Sequence, residues 1–230
     1  MLGTHARTLK RALRNRMVSK HGAELAYWKD RFQQDHGRFS NSHYQRIMLA
    51  MAREPDDAFL AGKIVADFGC GPRGSLEWAN SAKLRLGIDV LVEQYVNSFG
   101  DCLRSHAMEY VQSTETQIPL DAASVDVLYT LNAIDHVDHF EAMAGEMLRI
   151  LKTGGLFIGS FNLHEPRTAE EPQTLSEKII EREIFRHLDI ESVRISRKPE
   201  EGNMYQAFYD DQLVYTPGEI AVLWVKGRKR

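Results

Sequence analysis

Residues 65–78 read VADFGCGPRGSLEW. Gly69, Gly71 and Gly74 follow a short apolar run at the spacing G-x-G-x-x-G. That spacing marks a strand turning sharply into a helix start, where unpaired backbone N–H groups and the positive end of the helix dipole receive a ligand. In dinucleotide-binding turns the ligand is a pyrophosphate. Here Asp67 stands two residues before the first glycine, in a strand that is otherwise apolar. A carboxylate beside the turn opposes pyrophosphate and suits a ligand that carries a positive amino group. The glycines then let the backbone approach that ligand without a Cβ in the way.

The stretch is the first of several strand patterns. Lys63–Phe68 is a strand, Leu76–Ala82 a helical turn, and Lys83–Asp89 (KLRLGID) a second strand ending on another acid. The pattern predicts helix over Val90–Phe99, strand over Ala107–Gln112 and a stronger strand over Ser124–Thr130. Helix follows over His139–Leu151 with a glycine stop at Gly154-Gly155, then strand over Leu156–Asn162. Pro172–His187 has helical spacing, and Asp189–Ser196 and Ile220–Val225 are the last strands. Strands alternating with helices imply βαβ units and a mostly parallel sheet. No helix separates the last two strands, so one of them should run antiparallel. Their connection, 197–218, is long for a bare loop and predicts a substrate-side element.

Upstream, residues 1–61 read as helical, over 4–19, 22–35 and 41–53, the last stopping before Pro55. They form an N-terminal extension or cap to a domain spanning 62–230. Arg7, Lys10, Arg11, Arg14, Arg16 and Lys20 precede the first acid, Glu24, and Leu9, Leu13 and Met17 make a narrow apolar stripe. Three readings stand: a packed cap helix with a solvated basic face, an organellar transit peptide, or a helix that touches a membrane surface or nucleic acid.

The 230 residues carry a net charge of −3, with 43% hydrophobic and 27% charged residues. That balance suits a soluble α/β domain and argues against a protein wholly dedicated to nucleic acid. No apolar run reaches the roughly 18 residues a membrane span needs. Cys70 and Cys102 are the only cysteines and lack metal-ligand spacing. They predict free thiols, a cytoplasmic setting and no metal centre.

Four motifs now stand in order: VADFGCGPRG, LGIDV, TQIPLDAASVDVLYTLNAIDHVDHF and EMLRILKTGGLFIGS. Together, over about residues 62–162, they resemble the class I S-adenosylmethionine-dependent methyltransferases, most closely the type 11-like small-molecule branch. The resemblance implies a Rossmann-like, doubly wound α/β fold: a mostly parallel seven-stranded sheet with one antiparallel edge strand. It implies S-adenosylmethionine as cofactor. Asp67 resembles the acid that reaches the methionine amino group, with Gly69 and Gly71 beside the methionine part. Asp89 resembles the ribose-binding acid. In the adenine segment this sequence reads Ser113-Thr114-Glu115, which puts Glu115, with Thr114 as the alternative, against the base. Leu131 and Asn132 fall beside the sulfur. The third glycine is displaced from the common family pattern by Pro72-Arg73, and Arg73 either pairs with a ligand carboxylate or sits in solvent.

After the fourth strand comes Asn132-Ala-Ile-Asp135-His136-Val137-Asp138. His136 is a candidate general base, with Asp135 or Asp138 to orient it, or a structural residue of the turn. Tyr27, Trp28, Phe32, His43, Tyr44, His164, Glu165, Tyr205, Phe208, Tyr209 and Tyr215 are candidates for an acceptor site, each with core packing as the ordinary alternative. The expectation is methyl transfer to a small-molecule or glycan acceptor, most simply at oxygen. The alternative is an RNA or protein methyltransferase that docks through its basic N-terminus.

Overall fold

The computed structural model describes residues 20–199, 203–211 and 214–230. The basic helix expected over 4–19 lies outside them. Seven strands form one sheet: β1 (Ile64–Phe68), β2 (Leu84–Asp89), β3 (Glu109–Gln112), β4 (Val125–Leu131), β5 (Leu151–Leu163), β6 (Leu188–Arg197) and β7 (Ala221–Lys229). Their order is β3-β2-β1-β4-β5-β7-β6. The first five are parallel, and β7 runs antiparallel to β5 on one side and β6 on the other. The reversed strand therefore lies one place in from the edge.

Helices cover both faces. α1 (20–34), α2 (Ser42–Ala52), α3 (Val92–Ser105), α4 (Phe140–Ile150), α5 (Glu177–Glu183) and the short α6 (Met204–Tyr209) follow the alternation. Strand residues alternate between faces. Val65, Val127 and Tyr129 bury against Ile47 and Met48 of α2. Ala66, Phe68 and Leu128 bury against Phe140, Met143 and Met147 of α4. By that alternation Asp67 lies on the α2 face, at the end of β1 where the apolar pattern breaks.

The chain leaves β1 toward β2 and β3 on one side and returns to β4 and β5 on the other. In open α/β sheets the ligand crevice opens at such a switch point, beyond the carboxyl ends of the strands. A third cluster, Phe39, Leu91, Tyr95, Phe99 and Leu103, joins α1 and α3. Phe32 lies 5.0 Å from both Phe39 and Phe99, ring centroid to centroid, close enough for pairs worth about 0.5–1.5 kcal/mol beyond burial.

Four local expectations are corrected. The segment after the glycine loop forms tight turns (Glu77 N–H to Gly74 O, Ala79 N–H to Leu76 O, both 3.0 Å) rather than a regular helix. Helix over Pro172–His187 shrinks to Glu177–Glu183 plus a 3-10 turn at Phe185–His187, because Pro172 and the loop before Ser176 leave no room for more. Gly154-Gly155 do not stop a helix. The helix ends at Ile150, and the glycines make a bulge in β5, whose pairing jumps from Val125↔Leu151 to Val127↔Leu156. Lastly, α3 extends beyond Phe99, the expected end, across a kink at that residue.

Candidate active site

The glycine turn is set by backbone conformation. Gly69, Gly71 and Gly74 have φ of 74°, 56° and 74°, where side chains other than glycine are disfavoured. Close approach adds a second constraint. A Cβ on Gly69 would meet the Ala133 Cβ at 2.1 Å, and one on Gly71 would meet Trp28 Cζ2 at 2.8 Å. The turn is therefore held between the loop after β4 and the helix α1.

Beside it opens a cavity of about 530 Å³. Of the predicted cofactor residues, Gly69, Asp89, Glu115, Leu131 and Asn132 line it, together with Cys70, Val90, Ser113, Thr114 and Ala133. Asp67 and Gly71 lie behind that lining. Asp67 is buried and its Oδ2 accepts from the Ser75 hydroxyl. Its Oδ1 has no partner. Gly71 N–H donates to Asp89 Oδ2 at 3.0 Å, and Leu91 N–H to Asp89 Oδ1 at 2.9 Å. Burial pushes both carboxyls up to about 7. For Asp67 the Ser75 bond opposes the rise and the Asp89 charge adds to it. For Asp89 the Glu24 charge adds to burial, and the two backbone N–H bonds oppose it.

Such a site fits a cationic ligand with hydroxyls. Two buried acids pushed toward neutrality gain when a positive charge arrives. Two buried acceptors, Asp67 Oδ1 and Asn132 Oδ1, lack partners. Asn132 itself sits at φ 46°, immediately after β4, with its N–H bonded to Ser160 O at 3.1 Å.

The segment 113–120 is fastened from α4. Arg149 donates to Ile118 O and Leu120 O, both at 2.8 Å, and Glu146 Oε2 accepts from Ile118 N–H at 2.8 Å. Glu115 has a further duty. Its Oε1 lies 2.9 Å from His21 Nε2 and 3.8 Å from Lys20 Nζ, and its Oε2 accepts from Asp138 N–H at 3.4 Å. The His21 bond and the Lys20 charge hold Glu115 below its usual range against burial. It is a cavity wall and the clamp of α1 at once. Sequence reasoning missed that clamp, since Lys20 and His21 carry no motif.

Arg73 takes neither expected role. It pairs with Asp35 at 2.9 Å and lies 5.9 Å over the Trp28 ring. The Pro72-Arg73 insertion thus seats the N-terminal cap. Of the aromatic candidates, Tyr27, Trp28, Tyr44 and Tyr205 line the cavity. Phe32 belongs to the α1–α3 cluster, and Phe208 packs 4.4 Å from Trp224. Tyr209 lies under Arg46, at 3.9 Å. His43 stacks on Tyr44. His164 and Tyr215 join Glu177 in a separate cluster after β5, and Glu165 pairs with Lys198. His136 lines the cavity and is 42% exposed. Asp135 is buried and accepts from Asn162 Nδ2 at 2.8 Å.

Sheet order, switch-point cavity and glycine turn define a Rossmann-like domain built to bind a nucleoside cofactor. A family model for a methyltransferase domain matches residues 66–159. That segment carries a methyltransferase domain, and S-adenosylmethionine is the cofactor it implies. No curated protein matches it in sequence. A chain of the complex between the Haloferax volcanii Trm112 methyltransferase activator and a methyltransferase is similar in structure, with TM-score 0.60 and 18% identity over 91% of this chain and 97% of that one. An S-adenosylmethionine-dependent methyltransferase from Mesorhizobium loti gives 0.56 and 17% over 79% and 96%. The geranyl diphosphate C-methyltransferase of Streptomyces coelicolor, solved with Mg2+, geranyl diphosphate and S-adenosyl-L-homocysteine, gives 0.55 and 16% over 76% of each chain. At these identities the likeness is one of fold. No helix among the described residues is long and apolar enough to cross a membrane.

Proposed function

We propose that the protein transfers a methyl group to an oxygen of a small-molecule or glycan acceptor, with residues 62–230 as the catalytic domain and 1–61 as its cap. The observation that carries this reading is the single cavity in which the Gly69–Asp89–Glu115–Asn132 floor meets a wall of Tyr27, Trp28, Tyr44 and Tyr205. A floor for the cofactor and an aromatic wall for a flat, hydroxyl-bearing acceptor share one space. Bound S-adenosylmethionine supplies a sulfonium methyl group as the electrophile.

The chain's own residues bind, orient and exclude water. Asp67 Oδ1 accepts from the ammonium, directly or through water, and Ser75 fixes the carboxylate plane. Asp89, anchored by two backbone N–H groups, receives the ribose hydroxyls with its remaining lone pairs. Ser113, Thr114 and Glu115 flank the adenine, while Leu131 and Asn132 border the sulfur. The aromatic wall keeps water from the acceptor, so proximity and desolvation supply much of the acceleration. His136 on the cavity wall is the candidate base, with Asp135, whose Oδ2 is held by Asn162, or Asp138 beside it. Cys70 and Cys102 are both free, which supports a reducing compartment such as the cytoplasm.

Calorimetric titration with S-adenosylhomocysteine, repeated on Asp89→Ala, tests the cofactor floor. Affinity should fall at least tenfold, and an unchanged affinity overturns the ribose assignment. Radiolabel transfer from S-adenosylmethionine to sugar, small-alcohol and RNA pools then tests the acceptor. Labelling of RNA alone refutes the reading.

A further inference from the structure

Just past β4, Asp135, His136 and Glu171 converge, each offering one ligand atom within 4.8 Å of the other two. His136 Nε2 and Glu171 Oε1 stand 3.7 Å apart, too far for a hydrogen bond. Ligands held at about 2.0–2.2 Å on one first-row ion are themselves roughly 3.0–3.5 Å apart in tetrahedral or octahedral arrays. The His136–Glu171 pair needs a few tenths of an ångström of side-chain adjustment, and closing a separation of up to 4.8 Å needs roughly 1.3–1.8 Å.

The second observation is the hydrogen bonding of the buried oxygens. Asp135 is only 3% exposed, and while its Oδ2 accepts from Asn162 Nδ2, its Oδ1 has no partner. The Oδ1 of the equally buried Asn162 is also unpartnered. A buried acceptor left without a donor costs about 1–3 kcal/mol. Here two residues joined by the Asn162–Asp135 bond each keep one such atom, one in the turn after β4 and one near the end of β5, where ligands of open α/β sheets gather. Burial and the nearby Asp135 charge push the Glu171 carboxyl up, while His136 opposes the rise. From the neighbouring elements Glu165 adds negative charge and Lys198 positive. The residues surrounding the gap are rich in acceptors.

We propose that Asp135, His136 and Glu171 bind one divalent first-row cation, with its free coordination positions turned to the cavity that His136 lines. One imidazole and two carboxylates suit Mn2+, Fe2+, Co2+ or Zn2+ better than Mg2+, which prefers oxygen ligands and retains its waters. Two carboxylates balance the ion's charge. Three protein ligands leave places for an acceptor that offers two adjacent oxygens, such as a hydroxy acid, and the ion lowers the pKa of a hydroxyl bound to it. The role toward the acceptor rests on the function proposed above; the cation site itself does not.

The test uses the full chain after treatment with a chelator. Mn2+ is titrated while the electron paramagnetic resonance of the free ion is followed, and Zn2+ is titrated by calorimetry. One ion per chain is expected for at least one of the two, and His136→Ala and Glu171→Gln should each weaken it at least tenfold. Both variants must retain a cooperative melting transition and the parent's far-ultraviolet circular dichroism, which shows that they fold. Glycolate, but not methanol, should perturb the spectrum of bound Mn2+ or the heat of Zn2+ binding. Absence of stoichiometric binding by both ions, or binding untouched by the two substitutions, overturns the site and leaves His136 and Glu171 as an ordinary side-chain pair. Glycolate without effect overturns the acceptor role. S-adenosylhomocysteine affinity on the same samples reports the proposed function separately, so either reading fails without the other.

Discussion

Replacing Gly69 with alanine separates two costs that the glycine turn avoids. The first is backbone. At φ 74° an L-residue is strained by about 1–2 kcal/mol. The second is steric. The new Cβ would lie 2.1 Å from the Ala133 Cβ, and overpacking of that kind costs about 1–3 kcal/mol. Gly69→Ala should therefore destabilise by roughly 2–5 kcal/mol, lowering Tm by about 2–4 °C per kcal/mol for a chain of this size. Gly154→Ala is the control, since φ is 75° there and nothing lies within 4 Å of its Cβ. It should lose only the backbone cost of about 1–2 kcal/mol. Ala133→Gly in the Gly69→Ala background should restore about 1–3 kcal/mol beyond additivity. Denaturant titration of the parent, the three single variants and the double is the assay, with S-adenosylhomocysteine affinity measured beside it. If Gly69→Ala costs no more than Gly154→Ala, or Ala133→Gly recovers nothing, the tight turn is not what fixes the loop against β4.

The remaining predictions concern charge. Asp67 and Asp89 titrate near 7 in the folded protein against about 3.9 in an unfolded chain. Their folded-state pKa is raised, so the stability they contribute is fully present below about pH 4 and is lost as pH rises through 7. The ligand-free protein should melt lower at pH 8 than at pH 6. S-adenosylhomocysteine should bind more tightly over the same interval as the carboxylates become charged. Asp67→Asn should flatten part of both trends, and profiles unchanged by it would refute the assignment. Glu115→Gln should loosen α1 by about 1–3 kcal/mol, since it leaves buried Lys20 with Asp138 alone, 3.5 Å away. Hydrogen exchange over residues 20–34 reads that out, and protection equal to the parent's would sink it.

The fold was legible where one short segment carried its own signal. Asp67 and the glycines marked the turn, and continuous apolar runs marked the central strands, because burial on both faces leaves few other sequences possible there. The candidate floor was legible for the same reason, since its residues sit at strand ends. What could not be read were contacts joining distant segments. Nothing in the stretch Ser113–Glu115 announces Lys20 and His21, and nothing around Arg73 announces Asp35. Glu171 lies in a loop without periodicity, so its approach to His136 had no local trace. The turns at 75–80 misread as helix because Leu76 and Ala79 have helical spacing, yet they bury against α2 without needing a helix to do so.

The placement of β7 has a consequence for how the chain is made. Residues 221–229 insert between β5 and β6, pairing with Leu156–Leu163 on one side and Leu188–Arg197 on the other. A nascent chain that has already synthesised β6 has no neighbour for it, and the open edge of β5 faces outward. Two unpaired edges of this kind are the surfaces through which partly folded chains aggregate. The protein is thus exposed between the synthesis of residue 197 and that of residue 229. Slowing elongation there should trade soluble yield for aggregate, while the cavity floor at the ends of β1 to β4 is already encoded.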